Sequence, residues 1–287
     1  MLAVFSHELK SHFHSLSAYV FGAFLLIFTG IGAMLYNINA AVSNFEYVLE
    51  FCSIVFVVIV PLLTMRVIAE ERRQKTDQLL YSLPITTTQI VLGKYLALMI
   101  VFIIPVIFIS LYPPVFAHFG DVYLPTAYGS LFAFVLMGAA LIALGMFISS
   151  LTESQGFAAG ITLAVILFNY FSVSLAEYVS TSAYTSLLAL VFIAVFIGIT
   201  VKLLTKNDYL AYGTVYALVG ALMVTYFVDM SKLEGILPAV MKKLSLFKQF
   251  STFVDGVFDL TAVVFFVSII VFFVFLTVQS LEKRRYN

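Results

Sequence analysis

The chain has 287 residues, of which 62% are hydrophobic and 10% charged, and its mean hydropathy is +1.09. These values exclude an ordinary soluble globular domain and point to a multi-spanning membrane protein with lipid as its first partner. Fifteen basic and fifteen acidic residues cancel, so net charge selects no partner and gives no ground for expecting nucleic acid. The single Cys52 lies inside an apolar run, which rules out a disulfide framework.

In chain order, residues 3–16 (AVFSHELKSHFHSL) place Val4, Leu9, Phe13 and Leu16 near one side, with Glu8, Lys10 and His12 off it. This pattern predicts a short interfacial helix, 1–16, that enters the first span. The stretch is mixed polar and the apolar run after it lacks a small-residue cleavage site, so no cleavable leader is expected. Eight runs reach the about 18–25 mostly apolar residues needed to cross a bilayer: 17–36, 50–68, 92–116, 127–151, 156–176, 184–204, 209–229 and 260–281. Each must satisfy its backbone internally, so the expected class is all-α, a single polytopic helical bundle over 1–287 with about eight spans.

Pro61 is expected to kink the second span, and Arg66 sits where its stem can reach the interface. Next comes AEERRQKTDQLL, with six charges (Glu70, Glu71, Arg72, Arg73, Lys75, Asp77) in eight positions; charge this dense marks a helix leaving the bilayer. Thr76, Leu79, Leu80 and Leu83 follow at i, i+3, i+4 and i+7, which predicts a helix with a narrow apolar stripe that Pro84 stops. Two readings stand side by side: charges that only pair with one another, or a docking edge. Thr86-x-x-Gln89 then has the pattern of a capping box that starts the third span.

Further along, Gly156-x-x-x-Gly160 suits close helix packing or a homodimer seam, and Asn169 within the fifth span suits an inter-helix hydrogen bond or a pathway contact. Residues 236–258, inside an outer segment 230–259, repeat apolar side chains every three to four positions. This predicts one amphipathic helix or a pair, re-entrant or resting on lipid headgroups. With the N-terminus inside, eleven of the fifteen basic residues fall in inside segments: Lys10, Arg66, Arg72, Arg73, Lys75, Lys94, Lys202, Lys206, Lys283, Arg284 and Arg285. Both termini are therefore expected to be cytoplasmic.

The segment LTMRVIAEERRQKTDQLLYSLPITTTQIVLGKYLA resembles the second cytoplasmic segment of type-2 ABC exporter permeases, in the branch of the gliding-motility and copper-enzyme-maturation permeases. HELKSHFHSLSAYVF is similar to the family's entry helix, and SSLTESQGFAAGIT to its turn between spans four and five, with Thr152-x-x-Gln155 capping the fifth. The stretch from Leu244 to Arg285 resembles its outer segment and last span. Residues 179–230 match in hydropathy only. Lys75 stands where the family usually has Gly, and Ser17 where an early Pro is common.

The resemblance implies a pair of membrane subunits, identical or not, working with cytoplasmic ABC ATPases in the bacterial cytoplasmic membrane to export a hydrophobic or amphipathic substrate. It implies that segment 66–93 docks the ATPase through Glu70, Glu71, Arg72, Arg73, Thr76, Leu79, Leu80 and Pro84. It further implies that the outer segment forms a lid bearing Phe247, Phe250 and Phe253. ATP and magnesium would sit on the partner, since the chain's Gly93-Lys94 is followed by Tyr95 and lacks the first glycine of a phosphate-binding loop, Thr88 standing there. No cofactor or metal is expected on this chain: His7, His12 and His14 share the entry helix, and only His118 lies elsewhere. No catalytic constellation falls in the spans, so the chain is not expected to be an enzyme by itself. The rival readings are a secondary transporter, which needs ionisable groups in mid-span, and a non-pumping scaffold or immunity protein.

Overall fold

The computed structural model describes residues 2–76, 85–205 and 207–285. Among them there are helices and no strands, as the hydropathy pattern requires. The helices are α1 (Leu2–His14), α2 (Leu16–Ala33, continued by a π turn Met34–Asn39), α3 (Glu46–Ser53), α4 (Phe56–Thr64), α5 (Ala69–Gln74), α6 (Thr87–Ile109) and α7 (Tyr112–Phe119). They continue as α8 (Leu124–Leu151), α9 (Gln155–Tyr178), α10 (Ala183–Thr205), α11 (Asp208–Val228), α12 (Ile236–Leu244), α13 (Leu246–Val254) and α14 (Leu260–Arg285).

Six of the described helices are long and apolar enough to cross a membrane, or seven if the bent pair Glu46–Ser53 and Phe56–Gln74 counts as one span. The expected eight is not reached among the described residues, where six or seven meet that measure. Run 184–204 does form α10, but only Ala183–Ile199 registers there, as a shorter apolar helix. The bend in the second span, 56°, falls between Ser53 and Phe56 and not at Pro61. The ladder tightens there to three-residue bonds, Val55 N to Cys52 O at 3.1 Å and Val57 N to Ile54 O at 3.1 Å.

The chain divides into two compact units, Met1–Tyr170 with Gln249–Asn287, and Phe171–Lys248. In the first, α8 is the central post: 72% of its most apolar window is buried. It packs on α3, α4, α6 and α14. Its small residues Gly138, Ala139, Ala140, Ala143 and Gly145 let neighbouring backbones come close, which is how helices associate where lipid removes the hydrophobic drive. Rings fill the remaining space: Phe56 lies 4.7 Å from Phe134 and 5.7 Å from Phe102 between centroids.

The outer amphipathic stretch is a pair of helices, α12 and α13, separated at Ser245. The segment from Gln249 belongs to the first unit, where the Phe250 ring lies tilted against Phe134 at 6.0 Å and Ser130 Oγ donates to the Phe253 carbonyl at 2.8 Å. In the second unit, α10 and α11 form an antiparallel hairpin. Ala183, Leu187 and Leu233 are its buried cluster, flanked by Leu190, Val191, Leu222 and Tyr226.

Candidate coupling site

One end of the first unit gathers α1, α5, the start of α6, the α8–α9 turn and the end of α14. Helix α5 is short, with Glu70 and Glu71 in its first turn and Arg72 and Arg73 in its last, which is the order that complements a helix dipole. Its start is capped from outside. Ser149 Oγ on α8 accepts from the backbone N–H of Ile68 at 3.3 Å and of Ala69 at 3.1 Å, and lies 3.3 Å from the Met65 carbonyl, to which it can donate.

Helix α5 ends in a Schellman motif: Thr76 N donates to Glu71 O at 3.0 Å and Lys75 N to Arg72 O at 3.2 Å. Lys75 therefore adopts φ 57°, a left-handed backbone that favours glycine. The helix stops before Thr76, so the sequence-based expectation of a continuous helix through Thr76 is corrected. Leu79, Leu80 and Pro84, the rest of the expected dock, lie outside the described residues. At residue 86 the predicted capping box is present in both directions: Gln89 N donates to Thr86 Oγ1 at 3.3 Å and Thr86 N to Gln89 Oε1 at 3.4 Å.

The centre of this end is Lys94. Its side chain is 1% exposed, and Nζ donates to Glu8 Oε1 at 2.6 Å, to Glu71 Oε1 at 2.6 Å and to the Val67 carbonyl at 3.2 Å. One ammonium thus joins three segments 86 and 23 residues apart in sequence. A charge in this position is tolerable only with such partners, because desolvation otherwise costs several kcal/mol. Gly93 explains how α1 comes close enough: a Cβ there would lie 3.2 Å from Val4 Cβ and 3.3 Å from the Phe5 nitrogen. The Gly93-Lys94 pair is therefore one device. The glycine admits α1, and the lysine pins it to α5.

His12, also on α1, is buried, and its Nε2 has no hydrogen-bond partner. Burial holds its pKa below the ordinary value; Glu8 opposes the shift and Lys94 adds to it. At the rim, Arg284 of α14 pairs with Glu153, whose hydrogen bond and charge hold the Glu153 carboxyl below its usual range, and Arg285 Nη1 reaches the Ile85 carbonyl at 3.4 Å. The fifth-span cap differs in detail from the expectation. Thr152 Oγ1 accepts from Ser154 N at 3.1 Å, and it is Ser154 Oγ that accepts from Phe157 N, at 3.5 Å. Ser154 is two residues nearer the first turn and directly precedes Gln155, which places its hydroxyl over the free N–H groups.

The four charged dock candidates on α5 separate into two kinds. Glu70 and Arg73 are partly exposed, 3.9 Å apart, and Glu70 also accepts from Gln74 Nε2 at 3.1 Å. Glu71 is committed inward to Lys94, and Arg72 is buried with its charge felt at Glu153. Of the outer residues, Phe250 and Phe253 are core side chains of the first unit, and Phe247 is buried at the end of the second. Gly156 and Gly160 lie on an open face of α9 with Phe157, Ile161 and Ala164, and Asn169 is half-buried further along it. Sequence reasoning missed Glu8, Lys94, Ser149 and His12. Lys94, a charge just inside a long apolar run and next to a glycine, was the one signal available.

These features define a multi-pass helical membrane protein with a charged, externally capped helix held at one end of its bundle. The family model described as ABC-2 family transporter protein matches residues 2–278, and the chain belongs to that family. It is thus a permease of the ABC-2 type, a family of membrane subunits that associate with an ATPase subunit in a transporter complex. No curated protein and no solved structure gives a significant match.

Proposed function

We propose that this chain is the membrane subunit of a bacterial exporter, resident in the cytoplasmic membrane with the α5 end and both termini in the cytosol. It would pair with a second permease subunit and dock a cytoplasmic ABC ATPase that holds ATP and magnesium. The substrate class is hydrophobic or amphipathic, in keeping with spans rich in Phe and Ile.

The observation that carries this reading is the Lys94 junction. An ATPase pressing on the outward pair Glu70 and Arg73, and on the segment beyond Thr76, would move α5. Through Glu71, Lys94 and Glu8 that movement reaches α6 and α1, and through Ser149 it reaches α8. Two packed arrangements of this end, one per ATPase state, are what alternating access needs. The secondary-transporter alternative expects a buried ionisable site near mid-membrane, whereas Lys94 lies only about two turns inside α6.

The test is co-purification with the ABC ATPase encoded beside this chain, reconstitution of the pair in liposomes, and measurement of ATP hydrolysis and of efflux of bound lipid or peptide. ATP-dependent efflux in the outward direction supports the reading. A permease that binds no ATPase, or moves substrate on an ion gradient alone, contradicts it.

A further inference from the structure

At the far end of α8 from Ser149, about 40 Å along the helix axis, the first unit holds a cleft. Its cavity volume is about 210 Å³, with Tyr123, Thr126 and Gly129 on one wall and Phe253, Val257 and Phe258 on the other. Gly256 makes the turn on the second wall. It holds φ 80°, and a Cβ there would lie 3.8 Å from Thr126 Cγ2. Gly129 keeps the first wall open, since a Cβ there would come no closer than 3.9 Å to Phe258.

The inside of the cleft offers apolar contact. Phe253 is buried at its floor, and the Phe258 ring stands edge-on to it at 5.5 Å. The wall hydroxyls of Ser130 and Thr126 are spent, on the Phe253 carbonyl at 2.8 Å and the Tyr123 carbonyl at 2.9 Å. Towards solvent, Tyr123 and Phe258 are 69% and 63% exposed. Charge at this mouth has one sign. Asp255 directly precedes Gly256, and Asp121 stands two residues before Tyr123. Both are exposed, and neither carboxylate has a basic partner among the described residues. Asp259 is occupied: its Oδ1 accepts from Thr261 N at 2.8 Å and caps α14. No lysine or arginine occurs in residues 95–201 or 249–282, the two stretches that build the cleft. The nearest in sequence, Lys248, stands about two turns back along α13 and has an interaction of its own.

An apolar recess with aromatic rings at its mouth and negative charge beside it complements an organic cation with an apolar body. We infer that this cleft is a binding site for an arylalkylammonium ion, its ring against Phe253 and Phe258 and its cationic group at the mouth, where Tyr123, Asp121 and Asp255 stand. Size limits the guest. A cavity of about 150 Å³ holds one benzene ring, so this one takes a ring with a short arm and not a lipid tail. A positive group over an aromatic face is attracted by the ring quadrupole and asks no hydrogen bond of the wall. An anion meets two carboxylates at the entrance and two spent hydroxyls inside, so it is refused. Binding here is a property of the chain alone, so it can fail or succeed whatever drives the permease.

The experiment uses the full-length chain in phosphatidylcholine nanodiscs, with empty nanodiscs as the blank, and titrates each probe by saturation-transfer NMR. The probes are benzyltrimethylammonium, benzyl alcohol, tetramethylammonium and benzenesulfonate. Benzyltrimethylammonium should bind about ten-fold more tightly than benzyl alcohol, which lacks the charge, or tetramethylammonium, which lacks the ring. Benzenesulfonate should not bind. Asp121→Asn combined with Asp255→Asn should weaken the ammonium about five-fold and leave benzyl alcohol unchanged. Tyr123→Ala should weaken the ammonium about three-fold. Gly129→Leu, which fills the recess and keeps every charge, should abolish binding of both ring-bearing probes. Its melting is compared with the parent's, and should it fail to fold, the aspartate pair decides. Benzyl alcohol bound as tightly as the ammonium would show that charge has no part, and the inference fails. Ammonium binding unchanged in the aspartate pair, or surviving in folded Gly129→Leu, overturns it as well.

Discussion

Two lysines near helix ends, Lys94 in the first unit and Lys202 in the second, make ion pairs of similar length and opposite character. Lys94 is 1% exposed between two carboxylates at 2.6 Å, whereas Lys202 is 50% exposed, 2.9 Å from Asp208 and 5.9 Å above the Tyr212 ring. The Lys202 pair links two neighbouring helices of a hairpin that is already closed by a short turn, and water screens it. The Lys94 pair joins elements that no local connection holds together, in a place water scarcely reaches. Burial and reach in sequence, not the presence of a salt bridge, decide which pair is structural.

The sharpest way to break this comparison is to delete each ammonium. Lys94→Met leaves two carboxylates facing each other in a buried site and is expected to cost about 3–5 kcal/mol. Lys202→Met should leave thermal melting unchanged. Melting of both purified variants in the same detergent decides it, and equal losses would show that the Lys94 junction is no more than a surface pair.

Packing gives the next effect. Gly93→Leu drives a side chain into Val4 and should lose about 1–3 kcal/mol, while Gly220→Leu in α11, where a Cβ would meet nothing within 4 Å, should be tolerated. A proteolysis assay for release of α1 separates the two.

A smaller effect concerns pH. His12 has a folded pKa below 6.5, so the unfolded chain takes up its proton first as the medium acidifies. The stability its neutral ring contributes is present above pH 6.5 and declines as pH falls toward the folded value. The parent should therefore lose more melting temperature than His12→Phe on moving from neutral to mildly acid buffer. A parallel fall in both would remove His12 from the account.

The smallest change is a gain. Lys75→Gly relieves a left-handed backbone and should stabilise α5 by about 1 kcal/mol or less. A loss on this substitution would mean that the Lys75 side chain makes a contact the backbone argument ignores.

What the sequence made legible was what local pattern controls. The entry helix, the Thr86–Gln89 box and the paired outer helices each follow from residues a turn apart, and each is present. The close of α5 at Lys75 was marked only by its departure from the family's glycine, since a positive φ cannot be read from a lysine. The Glu8–Lys94–Glu71 junction lay beyond local reading, because nothing in the spacing of residues 8, 71 and 94 states that α1 folds back on α6. Phe250 and Phe253 show the same limit. Their period predicted an amphipathic face correctly, but not that this face enters the core beside Phe134.

The central claim is that the α5 end receives the ATPase on its outward pair and passes the movement inward through Lys94. The most direct measurement compares Glu70→Lys with Glu8→Gln in the reconstituted permease–ATPase complex, reading ATPase capture and ATP-driven efflux on the same samples. Glu70→Lys should weaken capture, because its carboxylate faces outward. Glu8→Gln should capture ATPase and hydrolyse ATP like the parent yet lose most efflux, because the link to α1 is cut. Normal efflux in Glu8→Gln, or normal capture and efflux in Glu70→Lys, would contradict the account.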